Sequence, residues 1–311
     1  MTGTRKQKLL IGVVLVLVVA ALGCYAAIMA FPELGLALVR MQYERASGVT
    51  AKSAVVDGYT IPYYEGGSGE PLVMIHGFGD SRISFVQCAK WLTPKYRVIL
   101  PDVPGFGDTA QDEKLDYGAH AQSERMHKFL HQIGVDKFHL AGNSMGGHIA
   151  ASYALKYPED VLSLILIDAA GVKVKEGMPY ADADKPAGTP EEFDAYMDKV
   201  FVQKPPIPDS FKRYFIKQAQ KNFAWQNRIR ADLRKSPDAI FNDRLSNIKA
   251  PTLVLWGDRD QLIELAVGEA YHAGIAGSKF VVFKDCGHSP QYERPKETAD
   301  AIVAFLSEIP K

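Results

Sequence analysis

The sequence has few cysteines, no net charge and no glycine-rich phosphate loop, and each of these absences excludes a class of protein. Its three cysteines, Cys24, Cys88 and Cys286, form no CxxC pair, so neither a cysteine metal site nor a redox motif is indicated, and no disulfide is expected. The 36 basic and 36 acidic residues cancel, which leaves no overall field to attract nucleic acid. The 311 residues suffice for one large α/β domain with small appendages.

What the sequence does contain begins with a long apolar run. Leu9 to Ala30 carries no charge over 22 positions, and about 20 apolar residues form a helix long enough to span a bilayer. We predict a transmembrane anchor in residues 1–30. Because Arg5, Lys6 and Lys8 precede the run, the N-terminus is expected in the cytoplasm and the catalytic domain on the opposite side, which in a bacterium is the periplasmic face of the inner membrane.

Three other interpretations fit this run: a cleaved secretory signal, a lipoprotein signal processed at Cys24, and a buried core helix. The chain stays apolar beyond Cys24, which disfavours the lipoprotein signal. Residues 31–50 are predicted to form either a juxtamembrane amphipathic helix that begins near Pro32 or a plain linker. Small residues of the apolar helix would allow a homodimer through it, although this run contains no clear GxxxG. These residues are Gly12, Ala20, Ala21 and Gly23.

Residues 51–311 are predicted to form one α/β domain. Asp57-Gly58 between two strand-like runs is typical of a tight hairpin turn. Beyond it, short apolar runs alternate with helical stretches, which indicates a mostly parallel sheet with helices on both faces. These runs are Leu72 to Ile75, Val98 to Leu100, Phe138 to Ala141, Leu164 to Ile167, Leu253 to Trp256 and Phe280 to Phe283.

One interval is too long for a simple connection. About 80 residues separate the strand that ends at Asp168 from the one that begins near Pro251, and a structureless loop of that length is uncommon. The segments Glu191 to Phe201 and Ser210 to Lys235 favour helices. We predict a helical cap at about residues 172–248, inserted over the edge of the sheet where the strands end.

A nucleophile is indicated by Gly142-Asn143-Ser144-Met145-Gly146, which fits GxSxG between a strand and a helix. The small residues at 142 and 146 permit a strained turn that exposes the Ser144 hydroxyl. His76-Gly77-Phe78-Gly79 follows the first parallel strand. The backbone N–H groups of Phe78 and Met145 are therefore predicted to form an oxyanion hole.

A serine nucleophile needs a base, and the base needs a carboxylate that orients it. Among eight histidines, His288 is favoured because it follows the last strand-like run in a loop at the catalytic edge. Asp260 preserves the chain order Ser, Asp, His and is the preferred acid. Asp258 is the alternative acid and Asp168 a third candidate. Of the other histidines, His120, His127 and His131 are predicted on a surface helix and His139 in a strand. His148 is predicted on the helix after the nucleophile, and His76 in a structural loop.

In this order the motifs resemble the α/β-hydrolase superfamily over Tyr59 to Leu306, and Pro101 to Asp108 is similar to a loop of its lipase, esterase and carbon-carbon hydrolase branches. The resemblance implies an α/β-hydrolase fold with an eight-stranded sheet. Ser144 argues against the dehalogenase and epoxide hydrolase branches, which use aspartate. A single N-terminal span on such a domain is similar to membrane-anchored monoacylglycerol lipases and bacterial membrane-bound A1-type phospholipases.

The expected function is hydrolysis of carboxylic esters of lipids through an acyl-enzyme on Ser144, with a fatty-acyl ester as substrate and the lipid bilayer as partner. No metal or organic cofactor is required by a serine triad. The alternatives are a carbon-carbon bond hydrolase or cofactor-free peroxidase-like enzyme, and a catalytically silent membrane protein that binds acyl chains. Four aromatic residues of the cap could line an acyl pocket or form the cap's own core: Phe211, Phe215, Phe223 and Trp225.

Overall fold

The computed structural model describes residues 5–174, 180 and 185–309. Within these ranges it contains one sheet and ten α-helices. The helices are α1 Arg5–Ala30, α2 Pro32–Ser47, α3 Val86–Leu92, α4 Ala119–Gln132, α5 Met145–Lys156, α6 Pro190–Val200, α7 Asp209–Lys235, α8 Leu265–Gly274, α9 Pro290–Glu293 and α10 Pro295–Leu306. The strands are β1 Val49–Val56, β2 Tyr59–Gly66, β3 Pro71–Ile75, β4 Arg97–Pro101, β5 Phe138–Asn143, β6 Val161–Ile167, β7 Thr252–Gly257 and β8 Lys279–Phe283.

The eight strands lie in the order β1-β2-β4-β3-β5-β6-β7-β8. β2 is antiparallel to both β1 and β4, and all the other pairs are parallel. The predicted mostly parallel sheet is confirmed. Because parallel strands end at one edge, the loops after β3, β5, β7 and β8 meet there.

The hairpin that opens the sheet follows the prediction from Asp-Gly. Asp57 and Gly58 have φ values of 50° and 83°, the left-handed values that a two-residue hairpin turn requires at both positions. Val56 lies opposite Tyr59 across the turn. The hairpin is therefore confirmed.

Helices cover both faces of the sheet. Successive residues of a strand point to opposite faces and so pack in different cores. Val73 and Ile75 of β3 join a core formed with α4, α5 and α8, whereas Leu72 and Met74 join a second core formed with α3 and α10. The first core is continuous with the base of the cap. From α7, Ile229 and Leu233 belong to this core and Trp225 packs against it.

The helices α6 and α7 lie between β6 and β7 and coincide, within one residue at each end, with the two segments predicted to be helical. The predicted cap also includes residues 175–179 and 181–184, which lie outside the described residues. Trp225 fixes α7 to the main domain: its Nε1 donates to the carbonyl of Gly105 at 2.8 Å, and its ring meets Tyr117 edge-on.

α1 and α2 form a bent pair at the N-terminus. No single helix in the described ranges has the length and hydropathy that a membrane span needs, whereas Ala20–Ala30 and Pro32–Ser47 meet both as a pair bent by 107°. The transmembrane anchor predicted for residues 1–30 is not confirmed by this finding and stays a prediction.

The segment predicted as either a helix or a linker is a helix, α2, docked on the catalytic domain. Arg40 bonds to Glu44 within α2 and to Tyr64 of β2. Ser47 Oγ donates to the Val86 carbonyl at 2.5 Å. Gly35 makes the contact with the cap possible, because a Cβ at this position would lie 2.8 Å from the ring of Phe211.

The anchoring role of Trp225 can be tested by Trp225→Phe, which keeps an aromatic ring and removes the N–H donor. We expect the free energy of unfolding to fall by about 1 kcal/mol, because the Gly105 carbonyl loses its partner. Denaturant unfolding followed by circular dichroism measures the change. Trp91→Phe, at a half-exposed surface indole, is the control and should stay within about 0.5 kcal/mol of wild type; equal losses would contradict the anchoring role.

Candidate active site

Ser144 lies at the turn between β5 and α5, with φ 55° and ψ −118°. A left-handed φ is unfavourable for a residue other than glycine, so surrounding contacts must hold it. The Ser144 N–H donates to the Ile167 carbonyl at 2.9 Å, and its own carbonyl accepts the N–H of Ala170 at 3.1 Å. The end of the neighbouring strand β6 thus fixes the nucleophile turn.

The two glycines of the motif are required by the closeness of the backbones. A Cβ on Gly142 would lie 2.2 Å from the carbonyl oxygen of Gly146, and one on Gly146 would lie 2.1 Å from that of Ile75. Neither distance is compatible with a side chain. Because neither glycine has a side chain, α5 can begin directly beside β3, and its N-terminus lies next to Ser144.

The loop after β3 passes beside the nucleophile. Ile75 pairs with Gly142, and a Cβ on Gly77 would lie 3.4 Å from the Cβ of Ser144. His76 is buried and joins two loops: Val103 N–H donates to its Nε2 at 3.0 Å, which leaves Nδ1 to donate to the Gly77 carbonyl at 2.8 Å. Phe78, the predicted oxyanion donor on this loop, packs edge-on against Phe106.

His288 and Asp260 meet at the same edge of the sheet. His288 Nδ1 lies 2.7 Å from Asp260 Oδ2, and both side chains are at most 8% exposed. The second carboxylate oxygen, Oδ1, accepts the backbone N–H groups of Leu262 and Ile263 at 2.7 and 2.9 Å. The turn after β7 therefore aims Asp260 at the histidine, and Nε2 is the other ring nitrogen, on the side away from Asp260.

Asp258, the alternative acid, is directed elsewhere. It is half-buried, and its Oδ1 accepts the N–H of Cys286 at 3.4 Å. Only Asp260 of these two carboxylates contacts the ring of His288 in the described structure.

Two residues that the motifs did not single out hold the His288 loop in place. Asn143 Nδ2 donates to the carbonyls of His288 and Ile167 at 3.1 and 3.2 Å. Glu293 Oε1 accepts the N–H of Gly287 at 2.7 Å, while its Oε2 accepts the N–H groups of Val202 and Gln203. Asn143 occupies the first of the two variable positions of GxSxG, whereas nothing in the local sequence marks Glu293.

Asp168, the third acid candidate, lies in the same buried cluster as Asp260 and His288. Its Oδ1 accepts the N–H of Gly257 at 2.9 Å. Burial, followed by the nearby charge of Asp260, holds the pKa of Asp168 well above its usual range. The shift in this pKa favours the protonated form of Asp168.

The four aromatic residues suggested for an acyl pocket have distinct surroundings. Phe211 contacts α2, Phe215 stacks on Phe193 within the cap, and Trp225 packs on the main domain. Phe223 is half-buried. The first three contacts favour the alternative in which these residues form the packing of the cap.

His148 on α5 is fully buried, with Nδ1 2.9 Å from the Tyr180 hydroxyl and Nε2 2.6 Å from the Asp238 carbonyl. Burial lowers the pKa of His148 to about 4, so the ring is neutral and serves packing. His120, His127 and His131 lie on α4 and His139 in β5.

The sheet order, with a serine turn after the fifth strand and a histidine loop after the eighth, is that of an α/β-hydrolase. A model described as the alpha/beta hydrolase family matches residues 72–301, and the chain belongs to this family.

The chain is also similar to individual proteins over most of its length. It is 35% identical over 278 residues to Lipase 1 of Psychrobacter immobilis, a match that covers 86% of this chain and 87% of the relative. Identity to monoacylglycerol lipase ABHD6 of Mus musculus is 27% over 296 residues, with 88% of each chain covered. A crystal structure described as a membrane phospholipase A, a novel bacterial virulence factor, superposes with a TM-score of 0.83 at 39% identity and covers 97% of this chain and 99% of that one.

Separate substitutions distinguish the two acids of the β7 loop. We expect Asp260→Asn to lower kcat for a p-nitrophenyl ester by about 10⁴-fold, because the amide no longer holds the histidine in the required tautomer. Asp258→Asn is the matched control and should change kcat by less than about threefold, since it affects only one long hydrogen bond of a half-exposed side chain. A greater loss in Asp258→Asn than in Asp260→Asn would reverse the assignment.

Glu293 is a positioning residue whose role is testable with Glu293→Gln. The amide cannot accept on both sides, so one contact to Gly287 or to the cap is lost. We expect kcat to fall about tenfold and the free energy of unfolding by about 1–3 kcal/mol. Exposed Glu269→Gln on α8 provides the control. Loss of stability with an unchanged kcat would assign Glu293 to the fold alone.

Proposed function

We propose that the protein is a serine hydrolase that cleaves carboxylic esters of lipids through an acyl-enzyme on Ser144. The observation that carries this proposal is the buried contact between His288 and Asp260 at the edge of the sheet where Ser144 follows β5. The relatives named as lipases and the solved membrane phospholipase A support an ester of a lipid as the substrate.

In the proposed reaction, His288 Nε2 takes the proton of the Ser144 hydroxyl while its oxygen attacks the ester carbonyl. The negative charge that develops on the carbonyl oxygen is stabilised by the N–H groups of Phe78 and Met145. His288 then gives the proton to the leaving alcohol, and the acyl group stays on Ser144. A water molecule, deprotonated by His288, releases the fatty acid and restores the serine.

Asp260 supports each proton transfer because its negative charge stabilises the imidazolium form of His288. The raised pKa of Asp168, caused first by burial, disfavours a second negative charge in the same buried space. The proposal therefore assigns one anionic carboxylate, one imidazole and one hydroxyl to the chemistry, without a metal or organic cofactor.

Membrane attachment through α1 and α2 is the second part of the proposal. Apolar side chains of both helices are exposed, among them Leu17 and Leu22 of α1 and Leu34 and Leu38 of α2. The same helices contact the cap, where Phe211 packs on Gly35 and Ser210 Oγ lies 3.7 Å from Met29 Sδ. Apolar residues in a bilayer would thus hold the cap close to lipid substrates.

A labelling experiment tests the nucleophile and an activity series tests the substrate class. We expect a fluorophosphonate probe to label the wild type and not Ser144→Ala, with Ser123→Ala, at a buried serine of α4, as the control that still reacts. The labelled protein should hydrolyse p-nitrophenyl esters, monoacylglycerol or phospholipid. Absence of labelling would favour the silent acyl-binding alternative, and labelling without hydrolysis of any of the three would favour a carbon-carbon bond hydrolase.

A further inference from the structure

Two histidines and an aspartate that the catalytic site does not use lie together at the other end of the sheet. His127 and His131 are one turn apart on α4 and so share a helix face. Asp160 precedes β6. Its Oδ2 lies 3.0 Å from His127 Nδ1 and 3.5 Å from His131 Nε2.

Both rings are held by neighbours, and His131 is held in the way that metal-bound imidazoles usually are. His131 Nδ1 lies 2.6 Å from Asp136 Oδ1, so a second carboxylate holds the ring nitrogen that faces away from Asp160. A ligating histidine typically donates its other N–H to such a group. His127 is fixed by a parallel stack on Tyr157, with 3.9 Å between ring centroids and 3° between planes.

The spacing of the three ligand atoms matches a tetrahedral ion. With bonds of about 2.0 Å, two ligand atoms of a tetrahedral zinc ion lie about 3.3 Å apart. The nearest atoms of His127, His131 and Asp160 all lie within 4.8 Å of one another, and the two measured distances to Asp160 bracket the tetrahedral value. Imidazole nitrogen together with carboxylate oxygen is a ligand set that zinc accepts.

The charges and the exposure of the cluster also suit a divalent cation. Asp160 and Asp136 together supply two negative charges. The side chains of His127, His131 and Asp160 are 29%, 38% and 17% exposed, so an ion can enter and keep a water ligand. The Tyr153 hydroxyl donates to Asp160 Oδ2 at 2.7 Å and helps to aim the carboxylate. Lys156, on the neighbouring helix α5, lies over the Tyr157 ring and bonds to Glu124.

We propose that His127, His131 and Asp160 bind a divalent transition-metal ion of the zinc type that stabilises the fold and takes no part in hydrolysis. The ion would join α4 to the connection between α5 and β6. The cluster lies at the start of β5 and β6, whereas Ser144 follows the end of β5. A six-residue strand, about 20 Å long, separates the two.

Binding is tested on the full chain without a histidine tag, purified in detergent, stripped with a chelator and titrated calorimetrically with ZnCl₂. We expect one ion per chain in the micromolar range and a thermal midpoint several degrees higher with zinc. His131→Ala and Asp160→Asn should abolish both effects. His272→Ala, an exposed histidine on α8, is the matched control and should bind as the wild type does.

Asp136→Asn separates a metal role from a merely structural one, because Asp136 is 74% exposed and its replacement leaves the fold intact. We expect zinc affinity to fall about tenfold, with unchanged stability in the absence of metal. Bound Co²⁺ should show the intense visible absorption of a tetrahedral site. Ester hydrolysis should be the same with and without zinc. A chain that binds no zinc at millimolar concentration, or binds it equally well as His127→Ala/His131→Ala, would overturn the proposal.

Discussion

The catalytic edge depends on one backbone constraint, the left-handed conformation of Ser144 between β5 and α5. This conformation costs of order 1–3 kcal/mol for a residue other than glycine. It is held by backbone bonds to Ile167 and Ala170, which lie at the end of the neighbouring strand. The same approach of backbones excludes a side chain at Gly142 and Gly146. The five-residue motif therefore reflects close backbone packing among the parallel strands β3, β5 and β6.

That packing explains which parts of the site the sequence could predict. Ser144, Asp260 and His288 each follow a recognisable strand, and strand ends of a parallel sheet converge, so the sequence could place all three at one edge. It could not separate Asp260 from Asp258, since both follow the same strand. Asn143 and Glu293 act through contacts between segments more than 80 residues apart in the chain. Such contacts leave no periodic or local signal, and the sequence could not have identified them.

The cap shows a different limit. Its two helices were predictable from length and pattern, but the surroundings of their aromatic residues were not, because a phenylalanine in a pocket and one in a core look alike in sequence. Phe211 is the clearest example, since its ring packs where α2 has no side chain, at Gly35. α2 itself joins the domain through polar contacts of Arg40 and Glu44 with the Tyr64 hydroxyl, which an apolar pattern does not reveal.

Hydrogen bonds join the cap to the His288 loop and help to enclose the buried carboxyl groups of Asp168 and Asp260. The carbonyl of Val200, at the end of α6, accepts the N–H of His288 at 2.8 Å, and Glu293 binds both segments. Enclosed in this way, the carboxyl of Asp168 has a pKa well above its usual range, because burial and then the nearby charge of Asp260 disfavour its ionised form. Asp260 has two backbone N–H donors and an imidazole as partners, whereas Asp168 has one N–H donor, from Gly257. The hydrogen-bond donors therefore converge on Asp260, the carboxylate that contacts the ring of His288.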